Sequence, residues 1–224
     1  MAEGGRNLLV IPGAGSAGQT WARAAELLGA RVRPVPDLPD VNAMAGALRA
    51  EVLALPEPRV LLGASLGAMV ALEVARTTPV QGLVLLAAGW GLVVADSLLE
   101  WVAGNPPDLF PKMARISIAA RDDTEAAAAV TNDFEARGHP VVHRHLSALS
   151  AYRPEPLPNP PPTLVIWGEH DRSVPLADHA RLALEMRGLL APIAGAAHKP
   201  FFERPEETAA RIRWWLEAEG LALA

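Results

Sequence analysis

Ser65, Asp171 and His198 each stand just where an apolar run ends, and their side chains could do chemistry together. A serine, an imidazole and a carboxylate can run nucleophilic acyl transfer. The imidazole takes the hydroxyl proton as the oxygen attacks a carbonyl, and the carboxylate holds the ring in the needed tautomer. Ser65 gives the sharpest signal, because it sits in Gly63-Ala64-Ser65-Leu66-Gly67. Composition alone would place that five-residue pattern in roughly one in 25 chains of this make-up, so its presence carries information. The run before it, Arg59 to Leu62, reads as a short buried strand, and Leu66 to Arg76 reads as a buried helix. A strand that passes into a helix through one residue strains that residue, lifts Oγ toward the helix's free N–H groups and leaves no room for a Cβ on either side.

The other two residues follow later strand-like runs. Asp171 lies in Gly168-Glu169-His170-Asp171-Arg172-Ser173, and His198 in Gly195-Ala196-Ala197-His198-Lys199-Pro200. Ligands of a parallel sheet sit beyond the carboxyl ends of its strands, which is where all three fall. Each has a plainer alternative. Asp171 could merely cap the next helix, and Asp96 is a rival carboxylate. Glu169 and His170 are expected to face away, His143 and His145 to be solvated, and His179 to lie inside a helix. A developing oxyanion needs donors, and the backbone N–H groups of Leu66 and of Ala14, in the loop Pro12–Gly18, are the candidates.

The elements that must position these groups alternate. Strands are predicted at 7–11, 31–36, 59–63, 82–88, 163–168 and 189–194, with helices at 18–29, 41–54, 65–76, 175–187 and 205–219. Runs such as Leu83-Val84-Leu85-Leu86 are continuously apolar, which implies burial on both faces and so a mostly parallel α/β sheet flanked by helices. Residues 90–157 interrupt the pattern with helices near 95–104, 108–120, 122–137 and 140–151, then a Pro-rich return. The expected organisation is a core of 1–89 and 158–224 with a helical cap at 90–157. Large apolar residues there, Trp90, Leu92, Trp101 and Met113, are candidates for lining an acyl pocket.

Composition narrows the field. The chain has 224 residues, half of them hydrophobic, a net charge of −5 and no cysteine. Thiolate metal sites, disulfides and a cysteine nucleophile are thereby excluded. No basic cluster suggests nucleic acid or an anionic membrane as partner. No apolar stretch reaches the roughly 18 residues of a membrane span, and no signal peptide is evident, so a cytoplasmic protein is expected.

Taken together, Pro12-Gly13 with Trp21, Asp37-Leu38-Pro39, Gly63–Gly67, Trp167-Gly168-Glu169-His170-Asp171 with Val174-Pro175, and His198-Lys199-Pro200-Phe201 resemble the α/β-hydrolase superfamily. The segment Ala196-Ala197-His198-x-Pro200-Phe201 is similar to carboxylesterases of the pimeloyl-carrier-protein methyl esterase kind. The resemblance implies a minimal α/β-hydrolase fold and a serine hydrolase acting on an ester or thioester of a small or medium acyl group, with no metal or organic cofactor. The same triad also serves C–C bond hydrolysis and cofactor-free perhydrolysis, and such a fold can serve binding alone. Pro12 replaces the family's usual histidine, the loop after Asp37 lacks Gly-x-Gly-x-Ser, and two outer strands are missing. A rival remains, because Gly13-Ala14-Gly15-Ser16-Ala17-Gly18 with Asp37 also fits an NAD(P)-binding fingerprint. Pro34 and Pro36 break the strand that would carry Asp37, and Tyr152 lacks the lysine a dehydrogenase would pair with it.

Overall fold

The structure is a computed structural model that describes residues 7–221. Strands β1 (Leu8–Ile11), β2 (Arg31–Val32), β3 (Val60–Ala64), β4 (Gly82–Leu86), β5 (Thr163–Gly168) and β6 (Leu189–Ile193) form one sheet. Their order is β2-β1-β3-β4-β5-β6, and every neighbouring pair is parallel. Helices α1 (Ala22–Leu28), α2 (Val41–Leu53), α3 (Leu66–Thr77), α8 (Leu176–Glu185) and α10 (Pro205–Ala218) cover the two faces.

Alternating side chains of the same strands supply two separate cores. Leu9, Ile11, Leu61, Leu83, Leu85 and Val165 point to the face packed by Met44, Leu48, Met69, Leu72 and Leu182. Leu8, Val10, Leu62, Val84, Leu86 and Ile166 point to the other, packed by Trp21, Leu28, Ile212 and Trp215. Burial on both faces is why these strands read as continuous apolar runs rather than alternating ones.

Several elements are shorter than the sequence pattern predicts, the second strand and the first helix among them. The second strand ends at Val32, because Pro34 and Pro36 offer no N–H to a ladder. The first helix begins as a 3-10 turn at Gln19–Trp21 before α1. A further short helix, α9 (Pro200–Glu203), lies directly after His198. Trp21 stacks on Phe201 at 3.6 Å between ring centroids, tying the start of the chain to that segment.

Between β4 and β5 lie α4 (Asp96–Ala103), α5 (Leu109–Ser117), α6 (Thr124–Glu135) and α7 (His139–Ala151). They enclose a small core of their own around Val102, Leu109, Val130, Phe134 and Val142. Asp123 caps α6 by accepting from the Ala126 N–H at 2.9 Å, and Asp40 caps α2 through Ala43 at 2.8 Å. Such caps satisfy otherwise orphaned donors at a helix start.

Candidate active site

The strand order reverses between β1 and β3. Their carboxyl ends therefore diverge into loops above and below the sheet, opening a crevice. Ser65 lies at the end of β3, with the Pro12–Gly18 loop at the end of β1. Ser65 has φ 51° and ψ −119°, a conformation that costs a non-glycine residue on the order of 1–3 kcal/mol. Close packing enforces it. A Cβ on Gly63 would meet the Ala68 Cα at 2.5 Å, and one on Gly67 would overlap the carbonyl oxygens of Ile11 and Pro12. The Ser65 N–H donates to the Leu86 carbonyl at 2.9 Å, which fixes the turn to the neighbouring strand.

His198 and Asp171 meet at the same sheet edge. His198 Nδ1 lies 2.9 Å from Asp171 Oδ2, and its backbone N–H donates to the Ser117 carbonyl at 3.1 Å. Asp171 Oδ1 accepts from the N–H groups of Ser173 at 2.8 Å and Val174 at 3.1 Å. The Asp171 side chain is fully buried. Burial alone would raise its carboxyl, but the His198 imidazole and those two N–H donors outweigh it and hold the carboxyl below the usual carboxylate range. An ionised Asp171 accepts from Nδ1–H, which leaves Nε2 as the basic ring nitrogen. Asp96 is exposed at the start of α4, on an inserted helix rather than beside His198. Glu169 and His170 are exposed as well.

Ser65 and His198 both line a cavity of about 170 Å³, together with Ala14, Leu92, Met113, Phe134, Leu149 and Val174. The walls are mainly apolar. Two of the residues named from sequence lie elsewhere. Trp90 packs against the core beneath the sheet edge and Trp101 against the interior of the inserted helices. Large indole rings at these positions fill space between elements, while the shorter, more flexible Leu92 and Met113 reach the cavity. Leu98 and Leu146 also line it, and no local feature of the sequence distinguishes them from packing residues.

The two expected oxyanion donors differ in their surroundings. Ala14 borders the cavity itself. Leu66 buries its side chain in the core, while its N–H is the first of α3, a position without an intrahelical partner. The loop bearing Ala14 is tied down by side chains the sequence reading did not anticipate. The Gly15 N–H donates to His145 Nδ1 at 3.1 Å, and Ser16 Oγ donates to Asp133 Oδ2 at 2.6 Å. Contrary to the sequence expectation, His145 is fully buried rather than solvated. Burial lowers its pKa to about 4. Asp133 is also fully buried. Both lie more than a hundred residues along the chain from their partners, so no spacing motif links them. Glu203 fastens the histidine loop, accepting from the Ala197 N–H at 2.8 Å and the Ala119 N–H at 2.5 Å.

Lys199, adjacent to His198, is buried and borders the cavity. Its ammonium lies 5.2 Å from the Phe134 ring centroid and 5.7 Å from that of Phe201. Burial lowers its pKa, against the opposing influence of Asp133 and Glu203. The residues that suggested nucleotide binding are occupied otherwise. Asp37 forms an ion pair with Arg144, and the glycine-rich loop is engaged by α6 and α7. Among the described residues, no group of three or more acidic, histidine or cysteine side chains could hold a metal. No described helix is long and apolar enough to cross a membrane.

A parallel six-stranded sheet with a serine on the strained turn after β3 is an α/β-hydrolase arrangement. The chain belongs to the alpha/beta hydrolase family, whose model matches residues 8–211, and is a hydrolase of that class. Among curated relatives it is similar to a pimeloyl-(acyl-carrier protein) methyl ester esterase of Methylococcus capsulatus, 30% identical over 241 aligned positions covering 93% of each chain. A thermophilic esterase superimposes with a TM-score of 0.84 at 22% identity, over 97% of this chain and 92% of that one. A type II thioesterase from the borrelidin biosynthetic cluster gives 0.69 at 18% identity, over 93% and 91%. These two likenesses establish the shared fold.

Proposed function

We propose that the protein is a serine carboxylesterase or thioesterase working through Ser65, His198 and Asp171. The observation that carries this reading is the hydrogen bond between the buried Asp171 carboxylate and His198, set beside a cavity that the strained Ser65 also lines. Ser65 Oγ attacks the substrate carbonyl as His198 Nε2 takes its proton. The N–H groups of Leu66 and Ala14 stabilise the tetrahedral oxyanion. The C–O or C–S bond then breaks, and the imidazolium delivers its proton to the departing alcohol or thiol. Water, activated by the same imidazole, releases the acid from the acyl-enzyme. Asp171 stays ionised throughout and stabilises the imidazolium. No step in this sequence requires a metal or an organic cofactor.

The apolar walls suit a small or medium acyl chain, in keeping with the esterase and thioesterase names of its relatives. Residues 90–157 serve as a cap over a core of 1–89 and 158–224, with Leu92 and Met113 contacting the acyl part. Labelling with a fluorophosphonate tests the assignment. One adduct is expected, on Ser65, and Ser65→Ala should lower kcat by about 10³-fold or more. A label elsewhere, or an alanine variant of undiminished activity, removes Ser65 from the mechanism.

A further inference from the structure

We infer that Asp133 and His145, carried by the inserted helices, are positioning residues for the oxyanion loop, so that α6 and α7 are a fixed part of the catalytic centre and not a swinging lid. This rests on the reading of Ser65 as nucleophile and Ala14 as oxyanion donor. The loop that carries Ala14 follows Pro12, which has neither a backbone N–H nor a side chain able to hydrogen-bond. Within the loop the Ser16 N–H donates to the Gly13 carbonyl at 3.2 Å and the Gly18 N–H to Ser16 Oγ at 3.1 Å, but neither bond holds the Ala14–Gly15 peptide, and the rest of the loop's anchoring comes from outside the β1–α1 segment.

Two side chains supply it. Asp133 Oδ2 accepts from Ser16 Oγ at 2.6 Å and Thr20 Oγ1 at 3.1 Å, and Oδ1 accepts from the Gln19 N–H at 2.8 Å. The Asp133 carbonyl accepts from the Ala17 N–H at 3.3 Å. His145 Nδ1 accepts from the Gly15 N–H at 3.1 Å. Its Nε2 lies 3.1 Å from the Pro36 carbonyl, which can only accept. The ring is therefore neutral, protonated at Nε2, and its one acceptor atom faces the loop. The charged side chains that bear on it are Arg137 in the α6–α7 turn, Arg144 on α7 and Asp37 on the β2–α2 loop. Gly15 itself has φ +67°, and a Cβ there would overlap Val142 of α7. Fixing the Gly15 N–H sets the 14–15 peptide plane, and that plane limits where the preceding Ala14 N–H can point.

Swinging α6 and α7 away would strip partners from a buried carboxylate, a buried imidazole and several loop donors at once, a heavy penalty for buried polar groups. Entry to the cavity is then expected at the approach to α4. There Val93, a lining residue, is 87% exposed.

The test compares His145→Asn with His145→Gln and His145→Leu. The Asn amide oxygen takes the place of Nδ1 and keeps the Gly15 bond. Gln reaches toward the Pro36 carbonyl and leaves Gly15 unpartnered. Leu loses both. With p-nitrophenyl acetate, Gln and Leu are expected to lower kcat about tenfold with KM near the parent value, and Asn to stay within about threefold. Phenylboronic acid, which forms a tetrahedral adduct on the serine, should lose affinity by the same factor as kcat/KM in each variant. Hydrogen exchange of the Gly15 amide should quicken in Gln and Leu only. If Leu does not fold, the Asn-against-Gln comparison decides. Equal effects of Asn and Gln, or loss of kcat with unchanged boronate affinity, overturn the inference. Ser65→Ala is run alongside. If it keeps full activity, the nucleophile assignment fails. If activity depends on Ser65 while the His145 variants match the parent, only the loop inference fails.

Discussion

Exchange of Asp171 for asparagine isolates a single proton position. Asp171 Oδ1 accepts two backbone N–H groups, and Oδ2 faces His198 Nδ1 at 2.9 Å. An asparagine must turn its oxygen toward the two N–H donors, which places its NH₂ against Nδ1. That NH₂ can only donate, so Nδ1 must accept and the ring proton moves to Nε2. A protonated Nε2 cannot take the Ser65 proton. Nothing else in the site changes shape, so the loss falls on kcat, by roughly 10³–10⁴-fold, or about 4–5.5 kcal/mol at 1.36 kcal/mol per tenfold. Initial rates of p-nitrophenyl acetate hydrolysis from pH 5 to 9, beside a thermal melt, measure it. Asp96→Asn, on exposed α4, should change kcat less than about tenfold. An Asp171→Asn protein within tenfold of the parent, or a larger loss from Asp96→Asn, refutes the reasoning. The parent also carries an acid limb. A carboxyl held below its ordinary value stabilises the fold fully above roughly pH 4 and ceases to as pH falls through the folded value, so this contribution should be missing from Asp171→Asn.

Other perturbations test neighbouring parts of the reading. Gly67→Ala drives a methyl group into two backbone carbonyls and should cost about 3 kcal/mol or more, lowering Tm by about 6–12 °C. Gly46→Ala in α2, where a Cβ meets nothing within 4 Å, should be neutral or stabilising by up to about 1 kcal/mol. Met113→Ala enlarges the cavity, so the optimum across C2 to C10 p-nitrophenyl esters should move to longer chains, with up to about fourfold in kcat/KM per added methylene. Trp90→Ala should lower Tm and leave that optimum alone; the opposite assignment would place the acyl pocket under the sheet edge. His145, neutral when folded with a pKa of about 4, stabilises the fold fully above about pH 6.5, and that contribution is lost as pH falls toward 4. The loss is on the order of 3 kcal/mol, and His145→Asn should flatten this part of the pH–stability curve measured by urea unfolding.

The sequence alone determined the sheet and where each strand delivers its loop, because both cores are built from continuous apolar runs whose period and length are local properties. It also singled out Ser65, since the strand-to-helix turn is a local pattern and Gly63 answers to contacts within a few residues, whereas Gly67 answers to the carbonyls at the end of β1 that only the tertiary structure brings there. Asp171 and His198 were legible as loop residues after strands, and their hydrogen bond is what the tertiary structure adds. Folding decided which large apolar residues face the cavity. Trp90, Leu92, Trp101 and Met113 look alike in sequence, yet the course of the loop after β4 and the rotation of α4 and α5 turn Trp90 and Trp101 to packing and Leu92 and Met113 toward the cavity. The partners of the glycine-rich loop were hidden for a deeper reason. Asp133 and His145 sit on amphipathic helices where nothing local marks a buried acid or a buried imidazole, and their partners are more than a hundred residues away. Only the docking of α6 and α7 against the end of β1 removes water from those side chains and leaves the loop, the 3-10 turn after it and the Pro36 carbonyl to supply their hydrogen bonds.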